Sequence, residues 1–163
     1  MRGARGSSLT ARVAVAALVA LASAGVRAEV RKLVDVEGIG PANAAKLEQA
    51  AVATPEDLLT KGGTRAGRER LAQATGLSAS HLLKWVNRVD LSRVKGIDTQ
   101  YSDLLEAAGV DTPKELARRN PDHLHAQLAK VNASKKLVRE LPTAAQVGKW
   151  VEEAKALPAR VEY

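Results

Sequence analysis

One stretch of this chain occurs twice. Laying Val36–Leu59 on Val94–Ala117, an offset of 58, matches Val36 with Val94, Gly38 with Gly96, Ile39 with Ile97, Leu47 with Leu105 and Glu48 with Glu106. The same offset pairs Ala50 with Ala108, Val52 with Val110, Thr54 with Thr112, Pro55 with Pro113 and Leu58 with Leu116. A unit that recurs must fold the same way twice and bury its apolar face on a neighbour, which constrains the fold more than composition does. A second marker, Lys84-Trp85-Val86 against Lys149-Trp150-Val151, recurs at an offset of 65, so the second copy carries about seven extra residues. Their simplest place is Arg139–Thr143, where Leu141-Pro142 marks a break.

Each copy is punctuated as helices. Thr54-Pro55-Glu56-Asp57 and Thr112-Pro113-Lys114-Glu115 each put a capping threonine before a proline at the first helical position and acid in the first turn. Third helices are expected over Arg65–Ala74 and Pro121–Val131, and fourth helices behind the caps Ser78 and Thr143. No stretch alternates β-branched residues, so the fold class is all-α. The expected architecture is two tandem helical repeats packed as one compact unit, divided at 29–90 and 91–163, each too small to be very stable alone.

Val36-Glu37-Gly38-Ile39-Gly40-Pro41 reads as a tight hairpin feeding a helix N-terminus, with Gly40, Ala44 and Leu47 at helical spacing so that a short preceding helix packs closely and Ile39 plugs the gap. This combination resembles the helix-hairpin-helix motif. The free N–H groups of a helix start, with the positive end of its dipole, suit an anion such as a DNA phosphate, and they read no base. The first hairpin therefore supplies the candidate phosphate site, Gly38, Ile39 and Gly40, with Lys46 nearby. In the second, Gly96 and Ile97 are followed by Asp98, an N-cap whose carboxylate takes the free N–H groups itself and repels a phosphate, so this hairpin is assigned a structural role.

From Val34 to about Leu157 the chain resembles a bacterial family of unknown function built from tandem helix-hairpin-helix units. The residues that carry the resemblance are Val36 to Pro41, Lys84-Trp85-Val86-Asn87, Lys95-Gly96-Ile97, Leu104 to Val110 and Lys149-Trp150-Val151. It implies a helical fold and nucleic-acid binding, and it brings no activity and no catalytic residue.

Composition has to be read after the first residues are set aside. Arg2, Arg5 and Arg12 precede an apolar run, Val13–Ala22, too short to span a bilayer comfortably and followed by small residues. That is the pattern of a secretory signal peptide over residues 1–28, with cleavage after Ala24 or, preferably, after Ala28. Removing 1–28 takes away Arg2, Arg5, Arg12 and Arg27 and no acid, lowering the formal charge from +7 to +3 and weakening any inference from basicity to nucleic acid. The export compartment would allow disulfides, yet the chain has no cysteine.

Other constellations read as structure. The basic groups Arg65, Arg68 and Arg70, Arg118 and Arg119, and Lys135, Lys136 and Arg139 are interspersed with acids such as Glu69, Asp122 and Glu140, as on a solvated face. Trp85 and Trp150 hold equivalent places beside apolar neighbours and are expected in the core rather than as base-stacking platforms. His123 and His125, two apart, point to different faces of a helix, so neither a metal nor a cofactor is expected. Without a thiol, nucleophile elbow, phosphate loop or zinc-protease motif, no enzymatic activity is expected. The expected function is sequence-independent binding of duplex DNA through the first hairpin, or alternatively a protein-interaction scaffold in the cell envelope, periplasmic or secreted. Oligomeric state is not fixed by the sequence. Intact mass of the exported protein is expected to show a chain beginning at Glu29; an unprocessed chain in the membrane fraction contradicts this.

Overall fold

The computed structural model describes residues 32–163. The proposed export segment and both cleavage points lie outside the described residues. A single 3-10 turn, Leu33–Asp35, precedes eight α-helices: α1 Gly40–Gln49, α2 Pro55–Gly62, α3 Arg65–Thr75, α4 Ala79–Leu91, α5 Thr99–Ala107, α6 Pro113–Leu116, α7 Pro121–Lys135 and α8 Ala144–Ala156. Among the described residues there is no strand, and no helix is long and apolar enough to cross a membrane.

Sequence punctuation becomes hydrogen bonding at the helix starts. The hydroxyls of Thr54 and Thr112 accept from the N–H groups of Asp57 and Glu115, at 3.0 and 3.2 Å, with Pro55 and Pro113 directly behind the caps. Ser78 and Thr143 likewise cap α4 and α8. Three helix pairs recur in both halves: α1 lies on α3 as α5 lies on α7, α2 on α4 as α6 on α8, and α3 on α4 as α7 on α8, while the close packing of α2 on α3 has no counterpart between α6 and α7. Two apolar clusters result. One gathers buried residues from Leu33 to Val89, the other from Leu91 to Ala154. Helices α4 and α5 meet where the halves join.

The turns agree bond for bond at the offset of 58. Val36 N–H donates to Leu33 O at 3.1 Å and Val94 N–H to Leu91 O at 3.0 Å; Ile39 N–H donates to Val36 O and Ile97 N–H to Val94 O, both at 3.1 Å. At the far end of α1 and α5, Val52 N–H reaches Leu47 O and Val110 N–H reaches Leu105 O, both at 2.9 Å. The short helix expected before the first hairpin is only the 3-10 turn, whereas the second hairpin follows the full length of α4.

Each hairpin glycine lies beneath a tryptophan. Gly38 and Gly96 have φ of +84° and +88°, and a Cβ there would stand 3.3 Å from the indole nitrogen of Trp85 and Trp150 respectively. Both indoles are buried, at 5% and 3% exposure, and Ile39 and Ile97 fill the space beside them at 1% and 3%.

The extra residues of the second half are divided. Cap-to-cap spacing is 56 from Thr64 to Asn120 and 65 from Ser78 to Thr143, while the left-handed residues that end α3 and α7, Gly76 and Lys136, are 60 apart. Two residues are therefore lost before α7, four are added within it, and five follow it. Only that last part falls in the region of the Leu141-Pro142 break.

Two substitutions test this equivalence. Gly96→Ala forces a Cβ onto the indole at positive φ and is expected to cost about 1–3 kcal/mol. Ala51 has φ of 59° where its counterpart is Gly109 at 77°. Ala51→Gly relieves a left-handed strain of roughly 1–2 kcal/mol, partly offset by greater freedom of the unfolded chain, and is expected to gain up to about 1 kcal/mol. Urea denaturation reads both; a destabilised Ala51→Gly contradicts the equivalence.

Candidate functional site

The two hairpins share a backbone turn and differ in what closes it. Asp98 sits extended at φ −93°, and its carboxylate accepts from Tyr101 N–H at 2.8 Å, closing the start of α5. In the first hairpin the corresponding residue is Gly40, at φ +62°, and no side chain caps the start of α1. Pro41 follows in the first turn and contributes no N–H. Gly38 is exposed and Gly40 half-buried, while Ile39 points into the core and offers a ligand only its backbone.

A second difference lies in the helix that backs each turn. Trp85 and Trp150 are 65 apart, and the same offset relates Arg88 of α4 to Glu153 of α8. Arg88 Nη1 donates to the carbonyl of Glu37 at 2.6 Å, whereas the Glu153 carboxylate accepts from Lys95 N–H at 2.9 Å. One position thus grips each hairpin through opposite charge. The second hairpin is ringed by two carboxylates, Asp98 and Glu153; the first has an arginine against it.

That arginine is engaged. Arg88 Nη2 lies 2.6 Å from Asp103 Oδ1 and 3.4 Å from Glu106 Oε2, both on α5, and Lys84 Nζ lies 3.3 Å from Glu106 Oε1. This cluster is the polar seam between the halves. Burial pushes the Asp103 carboxyl up against the pull of the Arg88 guanidinium, and nearby Glu37 and Glu106 push in the same direction as burial.

The remaining sequence candidates are scattered. Lys46 is exposed in the last turn of α1, six residues beyond Gly40, hence roughly 9 Å along the helix axis from the hairpin at 1.5 Å per residue. Of the first basic group, Arg65 pairs with Glu69 at 3.1 Å, Arg70 is exposed, and Arg68 is buried against main-chain carbonyls, where it cannot join a surface track. Arg119 is spent on the Gly109 carbonyl, while Arg118, Lys135, Lys136 and Arg139 are exposed. Sequence reasoning missed Arg88 and Glu153, although the offset of 65 already placed them at matching positions three residues beyond each tryptophan.

An all-helical chain with two matching turns, one open and one closed, is the class that fold and site define. Residues 37–157 match the model of a family described as a domain of unknown function (DUF4332), and the chain belongs to that family. No curated protein and no solved structure matches the chain.

The seam yields a stability test. Arg88→Met strands a part-buried carboxylate and is expected to cost about 1–3 kcal/mol, less than the loss of a fully buried partner because solvent reaches the pair. Adding Asp103→Asn should restore most of that loss. Denaturation of the single and double variants checks this; a double variant no better than Arg88→Met contradicts it.

Proposed function

We propose that this chain is an exported, non-enzymatic binding protein of two tandem helix-hairpin-helix units, and that its first hairpin takes the phosphates of duplex DNA without regard to sequence. The observation that carries this reading is the open start of α1 at Gly38–Gly40 beside the Asp98-capped start of α5. Free N–H groups at a helix start attract an anion; a carboxylate already seated there satisfies them and repels one. Matching turn hydrogen bonds and a glycine beneath an indole in both halves support the tandem assignment.

A second reading, a protein-interaction scaffold of the cell envelope, is favoured by one specific observation. The arginine against the first hairpin is committed to Asp103 and Glu106, so the turn brings little free positive charge to a polyanion.

The hairpin difference is also the test. Beyond its chain neighbours and the backbone of its own helix, no atom lies within 4 Å of a Cβ at Gly40, and aspartate and asparagine tolerate left-handed backbone. Gly40→Asp should cost roughly 1–3 kcal/mol in DNA affinity with a shallower salt slope, and the uncharged Gly40→Asn should cost less. Asp98→Gly should gain affinity, at only a few tenths of a kcal/mol in folding. Salt-series titrations with arbitrary duplex DNA, each variant checked for unchanged helicity, decide between the readings. Equal affinities throughout favour the scaffold.

A further inference from the structure

Among the described residues, seven helices start on a side-chain cap: Thr54, Thr64, Ser78, Asp98, Thr112, Asn120 and Thr143. Four residues past each cap a side chain drops into the interior. Leu58, Leu82, Leu116, Leu124 and Val147 stand at that place, as does the small Ser102, all of them buried. In α3 the residue there is Arg68, only 4% exposed. An arginine taken out of water needs partners for its donors. Arg68 Nη1 donates to the carbonyls of Gly62 and Gly63 at 3.0 and 2.9 Å, and Nη2 donates to the carbonyl of Glu162 at 2.6 Å.

Glu162 belongs to residues 158–163, which leave α8 in the second half and cross to the first. Its N–H donates to Gly63 O at 2.8 Å, so both of its main-chain groups are held. The neighbouring side chains alternate, as on an extended strand. Arg160 Nη2 reaches Glu56 at 2.6 Å and Thr60 Oγ1 at 3.0 Å, and Val161 packs on the first apolar cluster. The Tyr163 hydroxyl donates to Asn87 Oδ1 at 3.4 Å, beside a shallow cavity of about 330 Å³ bordered by Arg65, Arg68 and Leu83. Gly63 is required beneath the crossing, since a Cβ there would stand 2.5 Å from the Arg160 carbonyl oxygen.

The fold itself does not need this arrangement. Reckoned from the caps Thr64 and Asn120, the place of Arg68 is taken in the second half by Leu124 and that of Gly63 by Arg119, and the second half buries its own apolar cluster without an arginine there and without the close α2–α3 pairing, which α6 and α7 lack. Residues 162 and 163 are exposed, and the segment is tied by a few bonds near the surface, the kind of attachment that opens well before a core does.

We propose that the groove between Gly63, Arg68 and Glu56 is a peptide-docking site, held in cis by Arg160–Tyr163. From a partner protein it takes an extended segment of the same chemistry: basic, aliphatic, any residue, aromatic. Arg68 and Gly63 recognise the backbone, Glu56 the basic residue, the first apolar cluster the aliphatic one, and the cavity edge the ring. The chain's own segment, tethered at millimolar effective concentration or above, sets the affinity a partner must exceed. The site is separate from the hairpins and stands whichever hairpin reading holds.

The experiment uses the full chain and a fluorescent synthetic peptide spanning Pro158–Tyr163. Val161→Asp puts a charge where the segment meets the apolar cluster and should free the groove, so that peptide binding by anisotropy tightens at least tenfold over wild type. Adding Arg68→Leu, the side chain that stands at Leu124, should abolish binding with helicity unchanged. In the wild-type chain, the Glu162 amide should exchange with solvent far faster than core amides of α3. The proposal is overturned if a folded Val161→Asp chain binds no better than wild type, if Val161→Asp unfolds the protein, if Arg68→Leu binds equally well, or if Glu162 exchanges at the core rate.

Discussion

An indole seated on a glycine organises each half. At Gly38 and Gly96 positive φ turns the chain back on itself, and the absent Cβ leaves room for Trp85 and Trp150 to close over the turn from α4 and α8. Closing it drives Ile39 and Ile97 into the interior and fixes where α1 and α5 begin. A Cβ on either glycine would stand 3.3 Å from the indole nitrogen at a strained positive φ, so the indole or the turn would have to give by a few tenths of an ångström.

On that common frame the halves have diverged at a few positions, each with a visible chemical consequence. Gly40 leaves a helix start open where Asp98 closes one. Arg88 and Glu153 grip their hairpins through opposite groups, and Arg88 adds the ion pairs that join α4 to α5. Arg68 replaces a core leucine and binds residues 158–163 across the molecule. These differences separate a half with an open helix start and a groove filled by residues 158–163 from a half with neither.

Much of the fold was legible because the sequence repeats its punctuation. The shared Thr-Pro starts, the Gly-Ile turns and the two tryptophan helices could be placed from the offsets of 58 and 65, and the Asp98 cap followed from residue type alone. The extra residues were harder, because four of them lengthen α7 at its polar end, where apolar periodicity carries no signal. Arg68 was misjudged, and the distance of Lys46 from the hairpin was not legible, for a related reason. Nearness along the chain put Lys46 beside the hairpin, but a helix carries it away; Arg68 sat among exposed arginines, and only its distance from the Thr64 cap marked it as interior. The seam around Arg88 joins residues of different halves, which no local pattern reveals.

The claim that one hairpin is open and the other closed is tested most directly by following backbone amides in a nuclear magnetic resonance titration of the protein with a short DNA duplex at low salt. The account predicts shifts at Gly40, Ala42 and Asn43, fading as salt is raised, with Tyr101 and Ser102 unmoved. Equal shifts at both helix starts, or none at Gly40 to Asn43, would contradict it.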